Sequence, residues 1–141
     1  MSAMSNYLEG ELIKHIFRTG SFTKPSVLAI ALVTTGVTDS ETGSTIAEVT
    51  NANNYARQTL NPSDSNWAAP AAGNGLTDNL SAITFPQASG SWGTVVGVAI
   101  LDSATHGAGN VLFYGTLAVS KSINNGDTFS FAIGDLDVTL A

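Results

Sequence analysis

Residues Thr94–Leu101 read Thr-Val-Val-Gly-Val-Ala-Ile-Leu, a stretch without a charged side chain. Its valines and its isoleucine are branched at Cβ, and such residues favour the extended backbone of a strand. Gly97 stands in the middle, where a glycine marks a bulge or a point at which another part of the chain comes close. The stretch therefore predicts a central β-strand with an irregularity at Gly97.

Further apolar or alternating runs occur on both sides of this stretch, separated by turn residues. Phe129 and Phe131 alternate with polar residues, so their side chains share one face of a strand. Asn125-Gly126 precedes that run and is typical of a hairpin turn. The other predicted strands are Val27–Val33, Tyr55–Leu60, a strand that begins at Ile83, Val111–Val119, Thr128–Ile133 and Leu136–Leu140.

Two segments complete the predicted β-domain. In Tyr55–Leu60 successive side chains alternate in the manner of a half-exposed strand. From Asn61 to Asp78 prolines and glycines interrupt the chain and no period is visible, which predicts a long excursion packed down by its own Trp67. Strands at this spacing indicate a mainly β fold: a single antiparallel β-sandwich, jelly-roll-like, over residues about 22–141.

One α-helix is predicted before the first strand, over residues about 7–19. Leu8, Leu12, Ile16 and Phe17 recur at the spacing of one helix face, and charged residues fill the other face. Asn6 is the expected N-cap, and a glycine at position 20 follows as a stop signal. The fold class is therefore a β-sandwich with one N-terminal helix.

The composition indicates one acidic domain that spans residues 1–141. Of the 141 residues, 43% are hydrophobic and 11% are charged, and the formal net charge is −6. This apolar content is sufficient for one core, and the acidic balance argues against nucleic acid as a partner. The chain has no cysteine, no basic leader before an apolar run and no run long enough to span a membrane. We expect a protein made in the host cytoplasm without a signal peptide, with no membrane partner.

The residue types that carry catalysis and metal binding are few and scattered. The two histidines, His15 and His106, have no second histidine or carboxylate at ligand spacing. Ser91 lies in a Gly-Ser-Trp-Gly turn that lacks the pattern of a nucleophile elbow. The sequence therefore predicts no catalytic residue, no metal site and no cofactor, and a non-enzymatic protein that works through its surface.

Aromatic side chains are the remaining candidates for recognition. Trp67 and Trp92 are candidates for contact with a glycan or a protein partner, since an exposed ring can stack on the apolar face of a sugar. Core packing is the commoner fate of such rings. Asn79-Leu80-Ser81 matches an N-glycosylation acceptor, but without a secretory signal it indicates no function.

Several stretches together carry a resemblance to known proteins. They are Tyr7–Glu9 through Ile16–Arg18, Val27–Val33, Tyr55–Arg57, Ile83–Pro86, Gly90–Val95, Gly97–Ile100, Val111–Gly115 and Gly126–Phe131. In these stretches the sequence resembles a family of small tailed-phage virion proteins, described as tail-fibre or head-decoration proteins. In that family a short N-terminal helix precedes a β-sandwich.

The resemblance implies a non-enzymatic component of the virion, with the major capsid protein or other virion proteins as partners. Two roles are open. A capsid decoration (cement) protein that stabilises the head surface is favoured, because the chain has no heptads or fibrous repeats with which to build a shaft. The alternative is a tail-fibre or receptor-binding component that contacts a host glycan or protein.

Assembly is expected in either role. The low content of charged residues and the abundance of small polar residues predict a homo-oligomer, and the resemblance to decoration proteins favours a trimer. Leu8, Leu12, Ile16 and Phe17 are the candidate anchoring or interface residues, because they form the apolar face of the helix. The alternative is that these four side chains cover the core of their own sandwich.

Overall fold

The computed structural model describes residues 2–70 and 74–140, and its main element is a five-stranded antiparallel sheet. The strands and the helix follow in chain order: β1 Ser2–Met4, α1 Asn6–Phe17, β2 Ala29–Val33, β3 Gln58–Thr59, β4 Leu76–Thr77, β5 Ile83–Thr84, β6 Gly93–Leu101, β7 Val111–Ile123, β8 Ser130–Phe131 and β9 Val138–Thr139. The large sheet has the order β1-β7-β6-β2-β3, and β4-β9 and β5-β8 form two small sheets. The predicted class, mainly β with one N-terminal helix, is confirmed; the jelly-roll arrangement stays a prediction.

The central strand lies where the sequence predicts it. β6 pairs with β2 from Ala29↔Leu101 to Val33↔Gly97, and with β7 on its other side. Its pairing with β7 is irregular next to Gly97, where a register shift occurs. A Cβ on Gly97 would lie 2.6 Å from the carbonyl oxygen of Gly115, so only glycine fits this close approach.

The core lies on both faces of the large sheet. On one face Ile30, Leu32 and Ile100 pack against Phe85 and Phe131, which come from the segments of the small sheets. A second cluster lies on the other face, where Ile46 packs against the sheet; it contains Ala31, Val33, Ile46, Ala99, Leu101 and Val111. The sheet therefore has a buried centre, and the small sheets form the second layer of the sandwich.

Several predicted strands are shorter in the structure. Only Gln58–Thr59 of the run Tyr55–Leu60 pairs as a strand, and Arg57 is buried although its alternation indicated a half-exposed strand. Arg57 turns inward because its guanidinium has buried partners, as described below. β8 and β9 also have two residues each, whereas β7 extends to Ile123.

The helix begins one residue before the predicted start and ends two residues before the predicted end. The N-cap is Ser5, which is buried, and its Oγ accepts a hydrogen bond from the Leu8 amide at 3.3 Å. The prediction of Asn6 as N-cap is wrong because the Ser5 amide is tied to the Leu112 carbonyl at 3.0 Å. Arg18 has extended φ and ψ of −131° and −170°, which ends the helix at Phe17.

The two ends of the described chain lie side by side. β1 pairs with β7 at the edge of the large sheet, from Ser2↔Gly115 to Met4↔Phe113. The Thr139 amide donates a hydrogen bond of 2.8 Å to Ser2 Oγ. The first and last strands are therefore joined directly.

Asn79 holds the segment after the long excursion. Its side chain is fully buried; Nδ2 donates to the carbonyl groups of Ser81 and Ala132 at 2.8 Å each, and Oδ1 accepts from the Leu136 amide at 2.9 Å. The residue that matches a glycosylation acceptor is thus a structural asparagine. The excursion itself is fixed by Trp67, whose Nε1 donates to the Leu60 carbonyl at 2.9 Å.

We expect Asn79→Ala to lower the free energy of unfolding by about 2–3 kcal/mol, because it leaves three backbone groups without their buried partner. Urea denaturation measures the change. Asn124→Ala is the control: Asn124 is exposed, and its replacement should change stability by less than about 0.5 kcal/mol. Equal effects of the two replacements would contradict the role of Asn79.

Candidate binding surfaces

The predicted anchoring residues divide into a buried and an exposed pair. Leu8 is buried and Leu12 is half-buried, so the domain itself covers these two side chains wholly or in part. Ile16 and Phe17 are 66% and 79% exposed. The alternative that all four residues cover the core is therefore wrong for Ile16 and Phe17, and their anchoring role stays a prediction.

The exposed apolar residues of α1 are accompanied by cations. Ile13, Ile16 and Phe17 stand three and four residues apart, so they share one face of the helix. Lys14 lies 2.9 Å from Glu11, and Arg18 follows directly after Phe17. We call this surface the helix end: Ile13, Lys14, Ile16, Phe17 and Arg18.

The two tryptophans have different environments. Trp92 is 5% exposed, lies edge-on to Tyr55 with ring centroids 5.3 Å apart, and donates from Nε1 to the Asn53 carbonyl at 2.9 Å. Its ring belongs to the core and presents no open face. Trp67 is half-buried and lines a surface groove of about 440 Å³. Of the two, only Trp67 lies at an accessible surface.

The Trp67 groove has an apolar floor and a polar rim. Ile100 and Phe113 of the large sheet and Val138 of β9 contribute to the floor. The rim carries Lys24 and Asp64. An aromatic wall beside hydrogen-bonding groups is the chemistry that binds a ligand with one apolar face and several hydroxyl groups.

A second groove of about 670 Å³ lies at the far end of β7. Between the pairs Val95↔Lys121 and Gly97↔Thr116, β7 contains three more residues than β6, so Leu117–Ser120 bulges from the ladder. Val119 in this bulge is 67% exposed. We call this surface the acidic groove: Leu117, Ala118, Val119, Lys121, Ser122, Ile123, Asp127, Thr128, Phe129, Ser130, Phe131 and Asp135.

A buried ion pair lies inside the fold, away from both grooves. Arg57 Nε and Nη2 donate to the two carboxylate oxygens of Glu48 at 2.8 and 2.7 Å, and both side chains are almost fully buried. Nη1 donates to the carbonyl groups of Ser103 and Ala108 at 2.8 and 2.9 Å. Arg57 thus fastens the loop of residues 102–110 to the segment that carries Glu48. These contacts stabilise the fold.

Tyr55 and His106 complete this network. The Tyr55 hydroxyl donates to Glu48 Oε1 at 2.9 Å and accepts from the Leu32 amide at 3.0 Å. His106 Nε2 lies 2.9 Å from the Val49 carbonyl, which can only accept, so this nitrogen carries the hydrogen. The Arg57 network could not be found from the sequence, because its contacts to Glu48 join residues 7 to 58 positions apart that share no motif.

Tyr55 predicts a dependence of stability on alkaline pH. Burial, followed by the nearby Glu48 carboxylate, raises the pKa of the Tyr55 hydroxyl far above its ordinary value of 10.0. The unfolded chain loses this proton near pH 10 and the folded chain keeps it, so the stabilisation is complete below pH 10 and is lost as the pH rises above it. We expect the free energy of unfolding to fall above pH 10 with a slope that includes about 1.4 kcal/mol per pH unit from Tyr55.

Unfolding of the wild type and of Tyr55→Phe by urea, between pH 8 and pH 12, measures this slope. The variant should be less stable at pH 8, because the Leu32 amide loses its acceptor, and its stability should fall less steeply above pH 10. Tyr7 and Tyr114 are present in both proteins, so their ionisation cancels. Identical slopes would contradict the assignment to Tyr55.

Other site chemistry is limited within residues 2–70 and 74–140. In those ranges no group of three histidine, cysteine or carboxylate side chains is arranged to hold a metal ion. His15 Nδ1 accepts a hydrogen bond from the Phe22 amide at 3.1 Å and braces the chain after the helix. The helix α1, which has 12 residues, is too short to cross a membrane, and no other helix in the described part of the chain is a candidate.

The molecule combines a sheet-based core, an internal ion pair that fastens loops and several open surfaces. Comparison with protein-family models then gives the family. The model described as "Podophage GP4 fiber I protein gp80" matches residues 3–139, and the chain belongs to this family of phage fibre proteins. No curated protein matches the chain.

Family membership confirms the resemblance noted in the sequence and establishes the broad role. The chain is a structural protein of a bacteriophage virion. The match includes the helix, every strand from β2 to β9 and both grooves.

Proposed function

We propose that this chain is a component of a phage tail fibre, in preference to the capsid decoration protein that the sequence favoured. The observation that carries the proposal is the match of residues 3–139 to a family described by a fibre protein. The lack of heptads is compatible with this role, because a globular domain can serve as a module of a fibre in which other segments or chains form the shaft. The proposed activity is non-enzymatic.

Location and copy number on the particle test this proposal. Phage particles are separated into DNA-filled heads and detached tails, and the chain is quantified in each fraction by mass spectrometry with labelled peptides. We expect the chain with the tails, at a few copies or a few oligomers per particle. Hundreds of copies that remain with the heads would overturn the proposal and support the decoration role.

Within a fibre, we propose the Trp67 groove as the surface that contacts a host glycan. Support comes from the half-buried indole and from Asp64, an exposed residue that lines the groove. A carboxylate of this kind can accept hydrogen bonds from two adjacent sugar hydroxyl groups. The apolar face of the same sugar would lie against the indole.

Binding of the purified chain to an array of bacterial surface glycans tests this surface. Asp64→Ala should lower the affinity for any bound glycan by at least about tenfold, because each charged hydrogen bond that the replacement removes contributes about this factor. Glu9→Ala, which removes an exposed carboxylate from the helix, is the matched control and should leave binding unchanged. Equal binding by wild type and Asp64→Ala would place the contact elsewhere.

A further inference from the structure

The helix end and the acidic groove are two open surfaces that share no residue. α1 begins beside the Val111 end of β7, where the Ser5 amide donates to the Leu112 carbonyl. The acidic groove is formed around residues 117–123, at the other end of β7. Ile16 and Phe17 are exposed, so the helix end does not fill the groove of its own chain.

The two surfaces are complementary in apolar character. The helix end presents Ile13, Ile16 and Phe17 on one side of a helix. The groove has apolar lining residues among its polar ones, including Leu117 and Val119 from the bulge and Phe131. A protruding aromatic residue that enters a groove with apolar lining residues is a common form of interface anchor.

Their charges are also complementary. The helix end carries two cations, Arg18 and Lys14, of which Lys14 is paired with Glu11 at 2.9 Å. The groove carries Asp127 and Asp135 against one cation, Lys121. In a chain with a formal net charge of −6, this separation of sign draws the two surfaces together.

The two aspartates are held in place by their own turns. Asp127 Oδ2 accepts from the Asn124 amide at 2.9 Å, and Asp135 Oδ2 accepts from the Ala132 amide at 3.1 Å. In both cases the hydrogen bond uses Oδ2, and Oδ1 has no hydrogen-bond partner among residues 2–70 and 74–140. The groove therefore offers fixed carboxylate oxygens to a guanidinium or ammonium group.

We propose that the helix end of one copy docks in the acidic groove of a second copy of this chain. Phe17 fills the space beside Val119, and Arg18 lies next to Asp127 or Asp135. Because the two surfaces differ, the interface is heterologous: it closes into a ring, such as a trimer, or continues as a filament. The inference concerns self-assembly and does not depend on whether the particle carries the chain on its tail or its head.

Sedimentation velocity of the purified chain over a range of concentrations tests the proposal. We expect the wild type to associate reversibly, and we expect Phe17→Ser and Val119→Glu each to weaken association by about 100-fold, the effect of losing a central anchor. Leu80→Ser is the matched control, because Leu80 is an exposed apolar residue outside both surfaces and its loss should leave association unchanged. A wild type that stays monomeric, or a Leu80→Ser variant that dissociates as Phe17→Ser does, would overturn the proposal.

A mixing experiment separates this interface from a symmetric helix-to-helix contact. Phe17→Ser retains an intact groove, and Val119→Glu retains an intact helix end, so an equimolar mixture should form 1:1 dimers although each variant alone is monomeric. A mixture that stays monomeric would overturn the proposal. Near-ultraviolet circular dichroism checks that each variant is folded, and Ala118→Glu, also exposed in the groove, replaces Val119→Glu if that variant does not fold.

Discussion

Arg57→Met is expected to lower the free energy of unfolding by about 3–5 kcal/mol, because it leaves the carboxylate of Glu48 buried without its cation. The methionine side chain keeps most of the aliphatic volume of arginine. The decrease in the free energy of unfolding therefore measures the loss of the charge and of its hydrogen bonds. Two carbonyl groups of the loop, Ser103 and Ala108, also lose their donor. Urea denaturation at neutral pH measures the change.

Two further variants make this prediction specific. Lys121→Met removes an exposed lysine and should change stability by less than about 0.5 kcal/mol. Arg57→Met combined with Glu48→Gln replaces the unpaired carboxylate by a neutral amide and should recover part of the loss. The interpretation fails if the double variant loses as much free energy of unfolding as the two single replacements together, because the buried charge is then not the cause.

Phe85→Ala is expected to destabilise the domain by about 3–5 kcal/mol, the cost of a large cavity in a packed core. Phe85 is 1% exposed and lies between two other rings, with centroid distances of 6.1 Å to Tyr55 and 5.8 Å to Phe129. These neighbours belong to different segments, so the cavity loosens the contact between the small sheets and the large sheet.

Thermal and urea unfolding of Phe85→Ala and Phe17→Ala at low protein concentration measure this difference. Phe17 is the matched control, since the same replacement at a side chain that is mostly exposed should cost less than about 0.5 kcal/mol. A small decrease in the free energy of unfolding for Phe85→Ala would contradict this prediction, because it would mean that the core relaxes to fill the space of the missing ring.

The three central strands of the large sheet, β2, β6 and β7, could be predicted from the sequence because their signals are local, whereas the edge strand β1 was not predicted. The β-branched run around Val95 and Val98 predicts a strand, and Gly97 predicts the irregularity that the register shift confirms. The same signal does not set strand length: the alternation of Thr128–Ile133 continues beyond the two residues that pair as β8. Alternation reports which face a side chain occupies, whereas pairing depends on whether another strand is present.

The surfaces were less predictable than the fold. The apolar face of the helix predicts that both Leu8 and Phe17 are covered. The spacing of the residues does not show that the domain covers Leu8 and leaves Phe17 exposed. The alternation of Tyr55–Leu60 predicts a half-exposed strand that contains Arg57, whereas Arg57 is buried against Glu48, nine positions away. Contacts of this kind depend on tertiary structure, which a local pattern does not contain.

The direct hydrogen bond between Ser2 and Thr139 has a practical consequence for engineering. A linker of a few residues could connect these positions, and the chain could be reopened at the exposed turn of Asn125 and Gly126. Such a circular permutant would keep the same core while new termini emerge at the opposite end of β7. Foreign peptides or fluorophores could then be displayed from either end of the domain.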